Sequence, residues 1–371
     1  PSNGRSWTHG ANSYTYNSAF HPAGDDTYKN GFDTCEGKKV AKNVMTVGAV
    51  SDAVSGTLRS ISAASKASFS STGPTDDGRI KPDIVANGVS LTSSGGFSNT
   101  DTASFSGTSM ASPNAAGSAA LLGEYYGSRF PGEVMRAATL KGLIIHTADD
   151  IGNPGPDYLY GWGLMNTLAA AELIEDHAED GYRIIEERLD GANSTRQVDG
   201  VVVAGQPVRV TLCWTDPAGS SKSGHENRSK ALVNDLNLTV QGPGGTHLPY
   251  VMPHVGDWSI ASLDDVAITG VNDVDNVEQV YLPAAAGGSY TVTVSHGGGL
   301  TNGLQDYSLI ISGFGDPFLV ELDTDFVVGG APGGPFAGSF RDYTLTNQGS
   351  GSLDWSASDD MSWLDLSQTS G

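Results

Sequence analysis

Ser104-Phe105-Ser106-Gly107-Thr108-Ser109-Met110-Ala111-Ser112-Pro113 is the stretch on which the reading of this chain turns. The run that follows it is rich in small residues, Ala111, Ala115, Ala116, Gly117, Ala119 and Ala120. Ser109 therefore stands where a loop enters a helix small enough all round to be buried with neighbouring backbone close on every side. A serine there can hold its hydroxyl proud of the loop while its own N–H faces the negative oxygen that nucleophilic attack creates. The helix macrodipole adds partial positive charge at the same place. Gly107 leaves room for a substrate backbone, and Pro113 is expected in the first turn, where its missing N–H has no intrahelical partner. The plainer reading of Gly-Thr-Ser is a turn in which Ser109 is an N-cap.

Working outward, Pro1 to about Lys39 is rich in Gly, Asn, Ser and Tyr without a sustained period, and reads as an irregular loop-like segment. Val44-Met45-Thr46-Val47-Gly48-Ala49-Val50 and Ile84-Val85-Ala86 are short apolar runs of the kind that form doubly covered parallel strands. Helical patterns are expected from Ser109 to about Tyr126, from Gly132 to about Thr147 with Val134, Ala138, Leu140 and Ile144 on one stripe, and from Leu164 to Ile174. Strands alternating with helices imply an α/β layer structure over 1–180, with 1–39 as a loop-like insertion.

After about Asp180 the pattern switches to alternating runs at Val208–Leu212, Leu236–Val240 and Tyr290–Val294, punctuated by Gly242-Pro243-Gly244-Gly245 and Gly287-Gly288. These predict an all-β jelly roll or sandwich over 181–315, closing near Ser308–Ile311. From Asp316 a third unit begins, with Tyr343–Asn347, Trp355 and Trp363; residues 316–371 read as the start of an immunoglobulin-like β domain, cut short.

A chain of 371 residues is too long for a single core. The formal charge of -22 excludes nucleic acid and anionic membranes as partners, because phosphate binding draws its free energy from Lys and Arg. Cys35 and Cys213 are far apart and assigned to different units, which argues for unreactive thiols rather than a disulfide framework. No run approaches the roughly 18 apolar residues of a membrane span, and Pro1-Ser2-Asn3-Gly4-Arg5 has no secretory-signal pattern.

The run Gly107-Thr108-Ser109-Met110-Ala111-Ser112-Pro113 resembles the serine signature of the subtilisin-like proteases, or subtilases (peptidase family S8). Phe69-Ser70-Ser71-Thr72-Gly73-Pro74 and Arg79-Ile80-Lys81-Pro82-Asp83-Ile84-Val85-Ala86 resemble the stretch preceding it in that family. Asn43–Ala49 resembles a core strand, and Tyr160-Gly161-Trp162-Gly163-Leu164-Met165-Asn166 a closing segment. The resemblance covers about Ala41 to Ile174, with Pro1 to Lys39 fitting an insertion seen in some members. Leu212–Asp216, Leu232–Leu236 and Asp275–Val280 resemble the C-terminal β-barrel of large secreted bacterial subtilases.

The resemblance implies a parallel-sheet catalytic domain and a serine endopeptidase with protein or peptide substrates, secreted or displayed at a cell surface. It assigns Ser109 as nucleophile, the Ser109 backbone N–H to the oxyanion hole, and Gly107 and Thr108 to support of the nucleophile loop. No cofactor is implied for catalysis; structural calcium is, without a place for it.

Departures from the family pattern stand at Asn87, where proline is usual, and at Asn114, where histidine is. The larger one concerns the base and the orienting acid, since neither the Asp nor the His motif is found. His9 has the wrong neighbours and reads as a loop residue; Asn3, before Gly4, lies near the expected place of the oxyanion asparagine but lacks its context. The expectation is that a segment upstream of Pro1 carries Asp, His and Asn, is the missing partner of this chain, and leaves the chain alone inactive. The rival expectation is a non-catalytic surface or adhesive protein that keeps the scaffold.

Overall fold

The computed structural model describes residues 6–9, 12–15, 31–35, 37–222, 227–253, 262–315, 318–321, 342–347, 355–357 and 366–371. In the first segment, β1 (Ser6–His9) and β2 (Asn12–Thr15) pair antiparallel, so the expected loop carries a short hairpin. Alternation of Thr and Ser with aromatic residues over so few positions is too short a pattern to mark a strand without its partner.

The α/β layer is built on β3 (Val47–Val50) and β6 (Ile84–Asn87), which pair in parallel as the two apolar runs require. Between them lie the two-residue strands β4 (Val54–Ser55) and β5 (Leu58–Arg59). After β6 the chain forms a hairpin of β7 (Leu91–Ser94) and β8 (Thr102–Phe105), and β8 leads into α1 (Thr108–Arg129). Helices α2 (Ala137–His146) and α3 (Thr167–Asp180) follow.

Three helix expectations are corrected. The second helix starts at Ala137 rather than Gly132, because Gly132 takes φ +93 and the residues after it stay non-helical; Val134 is 89% exposed, not part of a buried stripe. The third starts at Thr167, capped by the Asn166 side chain on Ala169 N–H, because Leu164 is drawn into a parallel bridge with Val85. Finally, α1 is not covered on every side. Ala111, Ala115, Leu122 and Tyr126 are buried, whereas Leu121 is 62% exposed and an added Cβ at Gly117, Gly123 or Gly127 would meet nothing within 4 Å.

Beyond α3 the regular structure of the described residues is β, apart from short 3-10 turns such as Thr301–Gly303. Strands β9 (Ile184–Asp190), β11 (Val208–Trp214), β16 (Val277–Leu282) and β18 (Leu304–Ser312) form one four-stranded sheet in the order β16-β11-β18-β9. Strands β10 (Thr195–Val202), β12 (Leu236–Gly242), β13 (Gly245–His247) and β17 (Gly288–His296) form a second in the order β10-β17-β12-β13. Every pairing is antiparallel. Alternate residues of both, including Val210, Leu212, Leu238, Val240, Val292 and Leu309, bury into one shared core, as half-buried strands must. Strands β14 (Tyr250–Val251) and β15 (Ile268–Thr269) pair separately, as do β19 (Phe318–Glu321) and β20 (Thr344–Asn347). Most of 316–371 lies outside the described residues.

The α/β and β units share a seam. An added Cβ at Gly142 of α2 would fall 2.8 Å from Ile310 Cδ1 and 3.1 Å from Cys213 Cβ, so helix and sheet approach as closely as a glycine allows. Around that contact the seam is polar. Lys42 Nζ pairs with the buried Asp216 carboxylate and donates to Pro217 O at 2.9 Å and Ala231 O at 2.6 Å. Asp216 also accepts the N–H groups of Val233 and Asn234. A buried charge is tolerated only when paired and hydrogen-bonded in this way. Burial pushes the Cys35 and Cys213 thiols up, to about 11 and about 12, which keeps both protonated.

Candidate active site at the start of α1

Gly107 is the N-cap of α1 in an extended conformation, which makes Thr108 and Ser109 the first two helical residues. Met110 N–H and Ala111 N–H both donate to Gly107 O, at 2.9 and 3.2 Å. The amides of Thr108 and Ser109 come earlier in the helix and have no intrahelical acceptor. Ser109 is exposed, and among the described residues its hydroxyl makes no hydrogen bond. A free hydroxyl beside two free amides at the positive end of a helix dipole can attack an electrophilic carbon and stabilise the resulting oxyanion.

The loop before the helix is anchored to the sheet. Gly107 N–H donates to Gly88 O at 2.8 Å, and Gly88 N–H donates to Val50 O at 3.0 Å. A Cβ at Gly88 would fall 2.7 Å from Ala49 Cβ and 2.9 Å from Gly107 O, so only glycine permits this approach. Ser90, at φ +56, donates its N–H to Ser106 Oγ at 2.8 Å. These links tie the loop that carries Ser109 to the end of β6; Gly88, Ser90 and Ser106, which make them, were not singled out by sequence reasoning. At Gly107 a Cβ would lie 3.6 Å from Ser109 N, beside the amide an oxyanion would use.

Pro113 is corrected. With Thr108 as the first helical residue it falls in the second turn, so the Ser109 carbonyl lacks the N–H it would otherwise receive from four residues on.

Asn87 and Asn114 line a cavity of about 470 Å³ together with Asp52, Arg59, Ser118 and Leu168. Asn114 and Ser118 lie about 140° and 180° around the helix from Ser109, so the cavity flanks α1 away from the hydroxyl. His9 is in β1, and Asn3 lies outside the described residues. Two further histidines are engaged elsewhere. His146 is buried in the seam, Nδ1 with Thr211 Oγ1 and Nε2 with Ser312 Oγ, both at 2.9 Å. His177 Nδ1 accepts from Ile184 N–H at 3.3 Å.

Behind the loop, Asp83 is fully buried and bonds Thr46 N–H, Lys81 and Lys141. Burial opposes its charge, but Lys141 and Lys81 outweigh that and hold the carboxyl below its usual range. Lys81 is pushed down to about 8 by burial, with Asp83 working the other way. Arg79 bonds Asp77 through Nε at 3.0 Å, and Asp77 accepts Ala231 N–H from the β unit at 2.8 Å. This charge network is structural: it fixes the strand that carries Gly88.

Part of the chain is similar to known proteins. The model of the Subtilase family, Peptidase_S8, matches residues 17–163. The "Serine protease/ABC transporter B family protein tagA" of Dictyostelium discoideum is 27% identical over 296 residues, covering 68% of this chain and 16% of that protein. An "Extracellular serine protease" of Serratia marcescens is 33% identical over 150 residues, covering 36% of this chain and 13% of that protein. The chain thus spans about a sixth or less of the length of these curated relatives. Among solved structures, fervidolysin from Fervidobacterium pennivorans, described as a keratinolytic enzyme related to subtilisin, is 19% identical with a TM-score of 0.30, covering 67% of this chain and 35% of that one. Residues 17–163, which contain the loop, its anchors and Ser109, are the part of this chain that matches the subtilase family.

Proposed function

We propose that the protein is a serine endopeptidase that cleaves peptide bonds through an acyl-enzyme on Ser109. Ser109 Oγ attacks the scissile carbonyl carbon, its proton passing to a general base. The tetrahedral oxyanion is held by the Ser109 N–H, aided by the helix dipole. Collapse breaks the C–N bond, the base returns the proton to the leaving amine, and water then releases the acyl group by the same steps. The observation that carries this reading is the exposed Ser109 hydroxyl beside amides with no intrahelical acceptor, on a loop tied to the sheet through Gly88.

The base, the carboxylate that orients it and the oxyanion asparagine belong, in this proposal, to a segment outside residues 1–371. The uncovered face of α1, with Leu121 exposed, and the cavity beside it support the view that more protein packs there. Secretion, a jelly-roll arrangement of 181–315 and an immunoglobulin-like unit after 316 are parts of the same proposal. Structural calcium, without a place for it, is part of the same proposal; among the described residues no three His, Cys, Asp or Glu side chains converge as a metal site would require. Among the described residues no helix is long and apolar enough to cross a membrane.

The test is hydrolysis of a denatured protein substrate by the complete protein. Ser109→Ala is expected to lower kcat by several orders of magnitude, and residues 1–371 alone are expected to show no turnover. Full activity in the Ser109→Ala protein would favour the non-catalytic scaffold and a contaminating protease.

A further inference from the structure

Among the described residues strands β7 and β8 pair only with each other, Leu91 opposite Phe105 through Ser94 opposite Thr102, so the hairpin leaves the body of the α/β unit as a two-stranded ribbon. Thr92, Ser93, Ser94, Thr102 and Ser104 are all exposed. At its tip Phe97 is 97% exposed. A lone exposed aromatic residue needs no explanation by itself. What sets Phe97 apart is a turn built to hold it outward. Asp101 Oδ2 accepts Phe97 N–H at 3.2 Å, Gly95 N–H donates to Asp101 O at 2.7 Å, and Asp101 N–H donates to Ser98 O at 3.3 Å. A Cβ at Gly95 would fall 1.9 Å from Asp101 Oδ2, so the carboxylate occupies the space a side chain would need.

We propose that this hairpin is a substrate-gripping arm, with Phe97 taking an apolar side chain of an extended polypeptide several residues from the bond that Ser109 attacks. The proposal rests on the reading of Ser109 as nucleophile. The occupant follows from continuity: β8 runs through Ser106 and Gly107 into Ser109 without an intervening element, so ribbon and nucleophile form one surface. At about 3.3 Å per residue, Thr102 to Ser109 spans at most about 25 Å. Phe97 stands three residues beyond Ser94, the partner of Thr102, and an extended substrate rises at the same rate, so Phe97 meets a residue within about ten positions of the scissile bond. The outer edges of the ribbon carry no further strand among the described residues, and an extended chain can add to one of them by main-chain hydrogen bonds while Phe97 supplies the side-chain contact.

The experiment compares the complete wild-type protein with Phe97→Ala and Phe97→Trp on two substrates: a tetrapeptide anilide too short to reach the arm, and a quenched peptide of about twenty-four residues with apolar side chains on both sides of the cleaved bond. Fluorophosphonate labelling of Ser109 is followed in all three proteins. Phe97→Ala is expected to raise KM for the long peptide about three- to ten-fold, leaving the tetrapeptide kinetics and the labelling unchanged, and Phe97→Trp to restore the long-peptide KM. Labelled Ser109 with an unchanged long-peptide KM, or with equal losses on both substrates, overturns the arm and leaves the nucleophile reading standing. No labelling of the wild type overturns the nucleophile reading and the arm with it.

Discussion

In the proposed reaction Ser109 and Gly107 divide the work at the start of α1: one supplies a hydroxyl and an amide, the other keeps the space before that amide empty. A β-branched side chain at 107 would begin 3.6 Å from Ser109 N, inside the volume a substrate oxygen would occupy. Gly107→Val is therefore expected to lower kcat/KM about a hundred-fold or more, the range seen when an oxyanion donor is lost, with little change in thermal stability because the position is only half-buried. Steady-state kinetics alongside a melting curve checks both halves. The helix that begins at Gly107-Thr108-Ser109 was legible in the sequence, because the small residues that follow Ser109 form a sustained local pattern. Pro113 was misplaced by one turn, although even from the expected start at Ser109 it is the fifth residue, past the 3.6 residues of the first turn. Gly88 was missed because its need for glycine comes from Ala49 and the Gly107 carbonyl, which only the fold brings near it.

At the scale of elements, the parallel pair β3 and β6 was readable because a doubly covered strand is a continuous apolar run. The starts of α2 and α3 were not. Leu164 resembles a helical residue in its local pattern, yet pairing with Val85 holds it extended, and no local propensity encodes that. Where α2 lies on the β unit, Gly142 sets the approach. Gly142→Val adds atoms where Ile310 and Cys213 already stand at 2.8 and 3.1 Å from a Cβ, and overpacking of this kind typically costs about 1–3 kcal/mol. The gain in helix propensity over glycine offsets only a few tenths of that. The expected result is a lower melting temperature together with greater susceptibility to proteolysis at the seam, measured on the complete protein; an unchanged melting temperature would show that α2 can move off the sheet.

Across the whole molecule, the α/β and β units are joined by buried polar groups whose partners lie far apart in sequence, such as Lys42 with Asp216 and Ile80 N–H with Asp275. No spacing rule could have paired them, so composition yielded the negative charge but not where it is used. His146 makes this seam sensitive to acid. Burial, then the nearby Arg209, holds its pKa well below the usual 6.5. The unfolded chain thus takes up a proton below 6.5 that the folded one refuses, and this contribution to stability is present above 6.5 and lost as pH falls. Asp275 and Asp157 act in the opposite sense: burial raises both to about 6, so the folded state is favoured by their protonation and that contribution is lost as pH rises through about 6. Comparing wild type with His146→Gln separates the two effects. The unfolding free energy of wild type should fall relative to the variant from pH 7 to pH 5, with a limiting slope of about 1.4 kcal/mol per pH unit. Parallel curves would remove His146 from the account.

The central claim is that Ser109 is an activated nucleophile, and mass mapping of the complete protein after reaction with a fluorophosphonate tests it most directly. The account predicts one covalent adduct, on the peptide containing Ser109, absent from Ser109→Ala. An unmodified Ser109 peptide, or the same adduct in both proteins, would contradict it.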